Sequence, residues 1–287
     1  MLSLFVCWYI LDWLILFFNN KELTNENSDN IIVYSLKSFL NNEIKLIPYD
    51  EIKLIAHRWV AKDWISENSL ESFLKANKLW ADWIEFDVVQ TKDWENIVLH
   101  DEELSTSNCK DKKAWDYTYD WIYGNCTLTN WEKYLRLKDM LEKINWLFEY
   151  YFLEIKVYNE EIWSQQAENI IKIVKDLNMQ DKIIFISYSD SARKILNQDD
   201  DIIFWWDTFN VRDLSFIWDN NSEYFLTEHS HYITQSVIKR AENLYKKIVT
   251  YTVNSERDLE RMRNLGINIY MTDELEKLKQ YTSKQTF

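Results

Sequence analysis

Glu85 and Asp87 lie two residues apart in the apolar run Trp83-Ile84-Glu85-Phe86-Asp87-Val88, and Glu154 and Lys156 are spaced the same way in Leu153-Glu154-Ile155-Lys156. Side chains alternate between the faces of a β-strand, so each pair points the same way. His57 and Arg58 end a further apolar run, Leu54-Ile55-Ala56, while His100 and Asp101 end Ile97-Val98-Leu99. Carboxylates hold hard cations, Arg and Lys pair with anions, and histidines move protons near neutral pH. A single Glu-x-Asp pair is ordinarily a solvated or salt-bridged face, and a lone histidine a structural residue. Here the groups stand together at the ends of successive strand-like runs, and that conjunction points to chemistry. The sequence contains no internal repeat, no phosphate-cradling glycine loop and no serine-histidine-acid arrangement.

The elements that must position these groups are legible in the pattern. Short β-branched or aromatic runs recur with helical stretches between them, as in a parallel sheet built from βα units. Candidate strands are Lys53–Ala56, Trp83–Val88, Ile97–Leu99, Phe152–Ile155, Ile183–Ser187, Ile202–Phe204, Glu223–Leu226, Ile248–Val253 and Ile267–Met271. Helices fit Ser69–Leu79, Leu137–Lys143, Ile162–Leu177, Ser189–Asn197, Thr234–Leu244 and Glu256–Leu265, the last closed by Gly266. The expected fold is α/β, a TIM (β/α)8 barrel. Nine candidate strands exceed eight, so Ile202–Phe204 or Glu223–Leu226 is expected to be an extra or irregular piece. Active sites of such barrels lie at the carboxyl ends of the strands. On that rim three carboxylates (Glu85, Asp87, Glu154), two cations (Arg58, Lys156) and two histidines (His57, His100) converge.

Composition sets limits and raises a question. The chain of 287 residues carries a net charge of −14, which argues against nucleic acid as a partner, since phosphate backbones need a basic face. An anionic substrate must then be drawn in by a local cluster of cations and metal. There are 15 tryptophans and 2 glycines, where about 7% glycine, roughly 20 residues, is usual. Trp80 follows a helical run and Trp94 stands in a turn before an apolar run, both places where the backbone calls for glycine. These counts predict that the gene reads UGA as glycine and that the printed tryptophans at such places are glycines in the native chain. Trp83 would share the face of Glu85 and Asp87, where an indole is expected to crowd the cluster.

Residues 1–18 are apolar except for Ser3 and Asp12 and stop at Asn19-Asn20-Lys21-Glu22. As a helix they would span about 27 Å, which predicts a membrane anchor or signal segment and hence a membrane-anchored or exported protein. No Lys or Arg precedes the run, and Asp12 lies within it, so a buried N-terminal helix is the competing expectation. Residues 19–50 read as a polar linker and 51–287 as the catalytic domain. Cys109 and Cys126 can pair in an oxidising compartment or stand as free thiols. His229 and His231 belong to no motif and are expected at the surface.

Ile55-Ala56-His57-Arg58-Trp59, Glu67-Asn68-Ser69-Leu70, Ala81-Asp82-Trp83-Ile84-Glu85-Phe86-Asp87-Val88, Thr91-Lys92-Asp93-Trp94 and Val98-Leu99-His100-Asp101 together resemble the glycerophosphodiester phosphodiesterase family, with tryptophan wherever that family has glycine. Leu153-Glu154-Ile155-Lys156, Tyr251-Thr252-Val253-Asn254 and Thr272-Asp273 extend the resemblance over about residues 52–280. Ser66 stands where the family usually has proline, and Tyr251 where it usually has tryptophan. The resemblance implies a barrel with an insertion after the third strand, residues 102–136, that shapes the substrate pocket. Tyr117, Tyr119 and Tyr123 are expected to pack that insertion together, with a headgroup site as the alternative.

The same resemblance implies hydrolysis of a phosphodiester with one divalent cation, Mg2+ or Ca2+. By position Glu85, Asp87 and Glu154 would hold the metal, His57 and His100 would be the acid-base pair, and Arg58 and Lys156 would contact phosphate. The nucleophile is water or a neighbouring substrate hydroxyl. Expected substrates are glycerophosphodiesters, cleaved to an alcohol and glycerol 3-phosphate. Alternatives are a lysophospholipase D-like or sphingomyelinase D-like activity on lysophospholipid at a membrane, or a non-catalytic binding barrel if the tryptophans are real. An indole at Trp59, beside His57 and Arg58, would obstruct the pocket.

Overall fold

The apolar runs are too short for helices and are bounded by turn residues. They form strands in the computed structural model, which describes residues 46–58, 64–104, 108–158, 165–208, 224–230 and 233–286. The strands are β1 (Lys53–His57), β2 (Trp83–Gln90), β3 (Asn96–Val98), β4 (Tyr151–Ile155), β5 (Ile183–Ile186), β6 (Ile203–Phe204), β7 (Trp206–Thr208), β8 (Tyr224–His229), β9 (Lys247–Tyr251) and β10 (Ile269–Thr272). They order as β6-β5-β4-β2-β1-β10-β9-β8-β7, every neighbouring pair parallel. Only Trp205 separates β6 from β7, so residues 203–208 act as one interrupted strand that pairs with β5 on one side and β8 on the other. The sheet thereby closes into eight staves.

This corrects the expected surplus strand in part, since the stave that holds Ile202–Phe204 is irregular as expected. Both Ile202–Phe204 and Glu223–Leu226 supply barrel strands, and the extra piece is Ile97–Leu99, whose β3 pairs antiparallel with β2 through Val88↔Val98. The reason is connection length. Only residues 91–95 join β2 to β3, enough for a hairpin and far short of the dozen or more that a parallel crossover needs. The insertion that follows β3 therefore falls within the crossover from the second barrel stave to the third.

The helices are α1 (Leu70–Lys78), α2 (Tyr119–Asn125), α3 (Leu137–Ile144), α4 (Gln166–Asp176), α5 (Asp190–Leu196), α6 (Gln235–Asn243), α7 (Glu256–Asn264) and α8 (Leu275–Gln285). Ser69, Ser189 and Ser255 cap α1, α5 and α7 by accepting a backbone N–H three residues on. Gly266 follows α7 at φ 82°, the left-handed turn a C-terminal glycine allows. Alternate strand residues divide the apolar interior. Leu54, Phe86, Leu153 and Phe185 pack outward against the helices with Phe73, Leu141 and Ile170. Ile55, Trp83, Phe152, Ile184, Trp205, Val249 and Met271 fill the barrel. Trp83 shares the face of Glu85 and Asp87 as expected, yet the indole does not crowd them. It lies lower in the barrel, edge-on to Tyr150 at 5.4 Å and 5.9 Å from Phe152.

The insertion has its own small core of Leu104, Tyr119, Ile122 and Tyr134 packed on Val89 and Ile97, and a Cys109–Cys126 disulfide staples it. Tyr119 is buried and Tyr117 stacks on Trp121 at 4.1 Å, so these rings pack the insertion. Glu132 accepts the N–H groups of Leu70 and Glu71 at 3.0 and 3.1 Å, which ties the insertion to the first turn of α1. Segment 1–18 and residues 19–45 of the linker lie outside the described residues. Residues 46–50 already pack on the barrel, since Arg263 lies 4.0 Å over Tyr49 and donates to the Ile47 carbonyl.

Trp64, Trp80, Trp94 and Trp131 adopt φ of 70°, 61°, 67° and 69° with indoles 86%, 82%, 49% and 81% exposed. A β-carbon in this region costs roughly 1–2 kcal/mol, and an exposed indole regains little of it by burial. Trp80→Gly and Trp131→Gly are each expected to stabilise the protein by about 1 kcal/mol in urea unfolding. Trp146→Gly, where the indole is also largely exposed but φ is not positive, is expected to give no gain; equal effects at all three positions would refute the backbone explanation.

Candidate active site

Register brings the rim together. Asp87 on β2 is the Cα partner of Glu154 on β4, and His57 on β1 is the partner of Glu85 on β2. Glu85, Asp87 and Glu154 are all buried, and one ligand oxygen from each lies within 4.8 Å of the others. Lys156 Nζ sits 2.6 Å from Glu154 Oε1 and 3.4 Å from Asp87 Oδ1, while Arg58 Nε is 3.4 Å from Asp87 Oδ2. Arg58 N donates to Glu85 Oε2 at 3.0 Å. Asn68 donates to Asp87 Oδ2 at 3.0 Å and accepts the Asp87 N–H at 3.2 Å.

Two cations face three buried carboxylates, and protonation absorbs the imbalance. Burial, reinforced by Asp87, drives the Glu85 carboxyl far above its ordinary range. Burial likewise pushes Glu154 up to about 7, with Lys156 opposing and Asp87 adding to the rise. Burial would raise Asp87 too, but Lys156 and Arg58 together hold it well below the usual carboxylate range. Glu85 Oε1 is buried with no hydrogen-bond donor among the described residues. A hard divalent cation supplies both the missing charge and the missing partner for that oxygen, so the residues fit such an ion.

His57 ends β1 with Nδ1 2.6 Å from Asp273 Oδ1 and Nε2 3.9 Å from Glu85 Oε2. His100 follows β3, anchored by the Leu99 N–H on the Asp87 carbonyl at 3.0 Å, with its Nδ1 2.6 Å from Asp101 Oδ1. Burial lowers the His100 pKa; Asp87 opposes this, and Lys156 and Arg58 reinforce it. All seven predicted residues thus stand at one end of the barrel. Trp59 and His231 lie outside the described residues, as does the side chain of His229.

Asn68, Asp273, Asn254 and Tyr158 carry no signal in the strand pattern, yet each touches a predicted site residue or its neighbour. Asp273 holds His57, Asn254 holds Asp273 at 2.7 Å, and the Tyr158 hydroxyl donates to the His100 carbonyl. Asn68, Asn254 and Asp273 do stand in the motifs that carry the family resemblance, which is the signal the sequence holds for them, whereas Tyr158 stands in none; Asn68 takes up the left-handed φ of 54° that asparagine tolerates.

The arrangement makes a prediction about pH. Glu154 binds its proton more tightly folded than at the ordinary value of 4.5, so its stabilising contribution is complete below 4.5 and lost as pH rises through about 7. The metal-free protein should therefore lose stability across that window in denaturant titrations. Glu154→Gln should flatten the slope, and a divalent cation, which binds the ionised form, should reverse it. An unchanged slope in the variant would mean that Glu154 is ordinary.

The profile of the glycerophosphoryl diester phosphodiesterase family matches residues 57–277. The chain is 27% identical over 242 residues to the uncharacterized protein YqiK of Bacillus subtilis, covering 78% of this chain and 96% of that protein. It is 25% identical over 243 residues to a glycerophosphodiester phosphodiesterase of Caldanaerobacter subterraneus, covering 78% and 95%. The fold superposes with a TM-score of 0.70 on an Oleispira antarctica phosphodiesterase solved with its product sn-glycerol-3-phosphate, at 18% identity and coverage of 82% and 98%.

Proposed function

The chain belongs to the glycerophosphoryl diester phosphodiesterase family, and from that premise we propose that it hydrolyses glycerophosphodiesters to an alcohol and glycerol 3-phosphate, using one divalent cation and His57 and His100 as the acid-base pair. The observation that carries this reading is the buried Glu85, Asp87 and Glu154 cluster with its two cations. When bound, a cation such as Mg2+ or Ca2+ lends positive charge to the phosphate oxygens and acidifies a hydroxyl. Arg58 and Lys156 bind the phosphate and stabilise charge that builds on its equatorial oxygens. His57 Nε2 accepts the proton of the attacking hydroxyl, a role favoured by Asp273 behind Nδ1, and His100 protonates the departing alcohol.

Release of choline and glycerol 3-phosphate from glycerophosphocholine tests the proposal. Activity is expected with Mg2+ or Ca2+, absent after chelation, and lowered about 10²-fold or more in His57→Ala and in His100→Ala. Undiminished activity in either variant would remove that histidine from the mechanism. Preference for micellar lysophosphatidylcholine would favour the lysophospholipase D-like alternative.

The domain is further proposed to work exported or membrane-attached. The Cys109–Cys126 disulfide supports an oxidising compartment, as does the apolar segment 1–18. Among the described residues no helix is long and apolar enough to cross a membrane. The left-handed Trp64, Trp80, Trp94 and Trp131 support the reading of these positions as glycine in the native chain. Mass spectra of native peptides covering positions 64, 80 and 94 are expected to give glycine masses; tryptophan masses there would end the recoding idea and favour a non-catalytic barrel.

A further inference from the structure

We infer that Asn254 and Asp273 are a positioning pair that fixes the tautomer of His57, keeping its proton on Nδ1 and its lone pair on Nε2. This rests on the proton-accepting role given to His57 above. Asp273 follows β10, the neighbour of the β1 stave that carries His57, and Asn254 follows β9, the next stave beyond it.

The hydrogen-bond chain starts at a group that cannot choose its role. The backbone N–H of Asp273 is an obligatory donor, and it meets Asn254 Oδ1 at 2.9 Å; Thr272 Oγ1 approaches the same oxygen at 3.3 Å. The Asn254 amide is thereby oriented with its oxygen toward the backbone, so its NH2 faces the Asp273 carboxylate and donates to Oδ2 at 2.7 Å. That leaves Asp273 Oδ1 for His57 Nδ1 at 2.6 Å. An ionised carboxylate only accepts, so Nδ1 must carry the hydrogen. Asp273 stays ionised: burial alone would raise its pKa, but the hydrogen bonds from His57 and Asn254 bring it below the ordinary range. At 3.9 Å from Glu85 Oε2, Nε2 is too far for a hydrogen bond, so its lone pair faces the carboxylate cluster.

The relay can be inverted and then restored. In Asp273→Asn the new amide must turn its oxygen to the Asn254 NH2, which leaves its own NH2 facing His57 Nδ1. The ring then has to carry its hydrogen on Nε2. Adding Asn254→Asp reverses the relay, because the new carboxylate at 254 accepts both the backbone N–H and the amide at 273, whose oxygen returns to Nδ1.

Nitrogen-15 NMR of histidine-labelled protein, with the His57 signal identified by its loss in His57→Gln, reads the tautomer directly. The expected pattern is Nδ1–H in the native protein, Nε2–H in Asp273→Asn and Nδ1–H again in the double variant. With glycerophosphocholine, kcat should fall about 10³–10⁴-fold in the single variant, as for other misplaced imidazole tautomers, with KM little changed, and recover in part in the double variant. A native Nε2–H tautomer, or an unchanged tautomer in Asp273→Asn, would overturn the inference. A protein with the expected tautomer pattern but no phosphodiesterase activity would keep the positioning pair and remove the functional proposal instead.

Discussion

Mutual repulsion among three carboxylates buried at one end of the barrel is the constraint around which the rest of the site is arranged. Glu85, Asp87 and Glu154 are buried and bring ligand oxygens within 4.8 Å of one another. No folded chain holds such a group without compensation. Lys156 bridges Glu154 and Asp87, Arg58 pairs with Asp87 Oδ2, and Asn68 donates to that same oxygen while accepting the Asp87 backbone N–H. With all three ionised the compensation stops one charge short, a shortfall that a divalent cation would fill.

The barrel supplies the stiffness that keeps this repulsion from relaxing outward. Beneath the polar rim the interior is filled by Ile55, Trp83, Phe152, Ile184, Trp205 and Met271, and parallel register locks Asp87 against Glu154 and His57 against Glu85. A one-residue slip of β2 would turn both acids outward into the helix layer. The loops over the rim are braced in turn: Glu132 of the insertion caps α1, and Asn130 N donates to Ser66 Oγ beside Asn68. Packing far from the chemistry thus bears on the placement of Asp87 through Asn68.

Much of this was legible beforehand. The two-residue spacing of Glu85 with Asp87 and of Glu154 with Lys156 sets their common face whatever the fold, because pleating has a period of two. The expected helices beginning at Ser69, Ser189 and Glu256 start within one residue of the observed ones, and the scarcity of glycine marked Trp80 and Trp94 as backbone anomalies, which their φ values match. The hairpin was also decidable in advance, since residues 89–96 between the expected strands Trp83–Val88 and Ile97–Leu99 are already too few for a parallel crossover; hydrophobic pattern alone misassigned the surplus strand because a short apolar run looks the same in a hairpin and in a stave.

Other features belong to no local pattern. His57 and Asp273 are 216 residues apart, and only closure of the sheet, with β10 beside β1, makes them neighbours. The fit of Trp83 beneath the carboxylates was equally hidden, because it depends on the room left between Tyr150 and Phe152. The disulfide, too, was one of two open readings until the insertion brought Cys109 and Cys126 together. The amino-acid order by itself determined which side chains share a strand face, where helices start and which residue types reach the rim, because these follow from the local periods of helix and strand. Only the tertiary structure decided which acid orients which histidine and how much charge stays uncompensated, because those depend on distances between segments that no local period encodes.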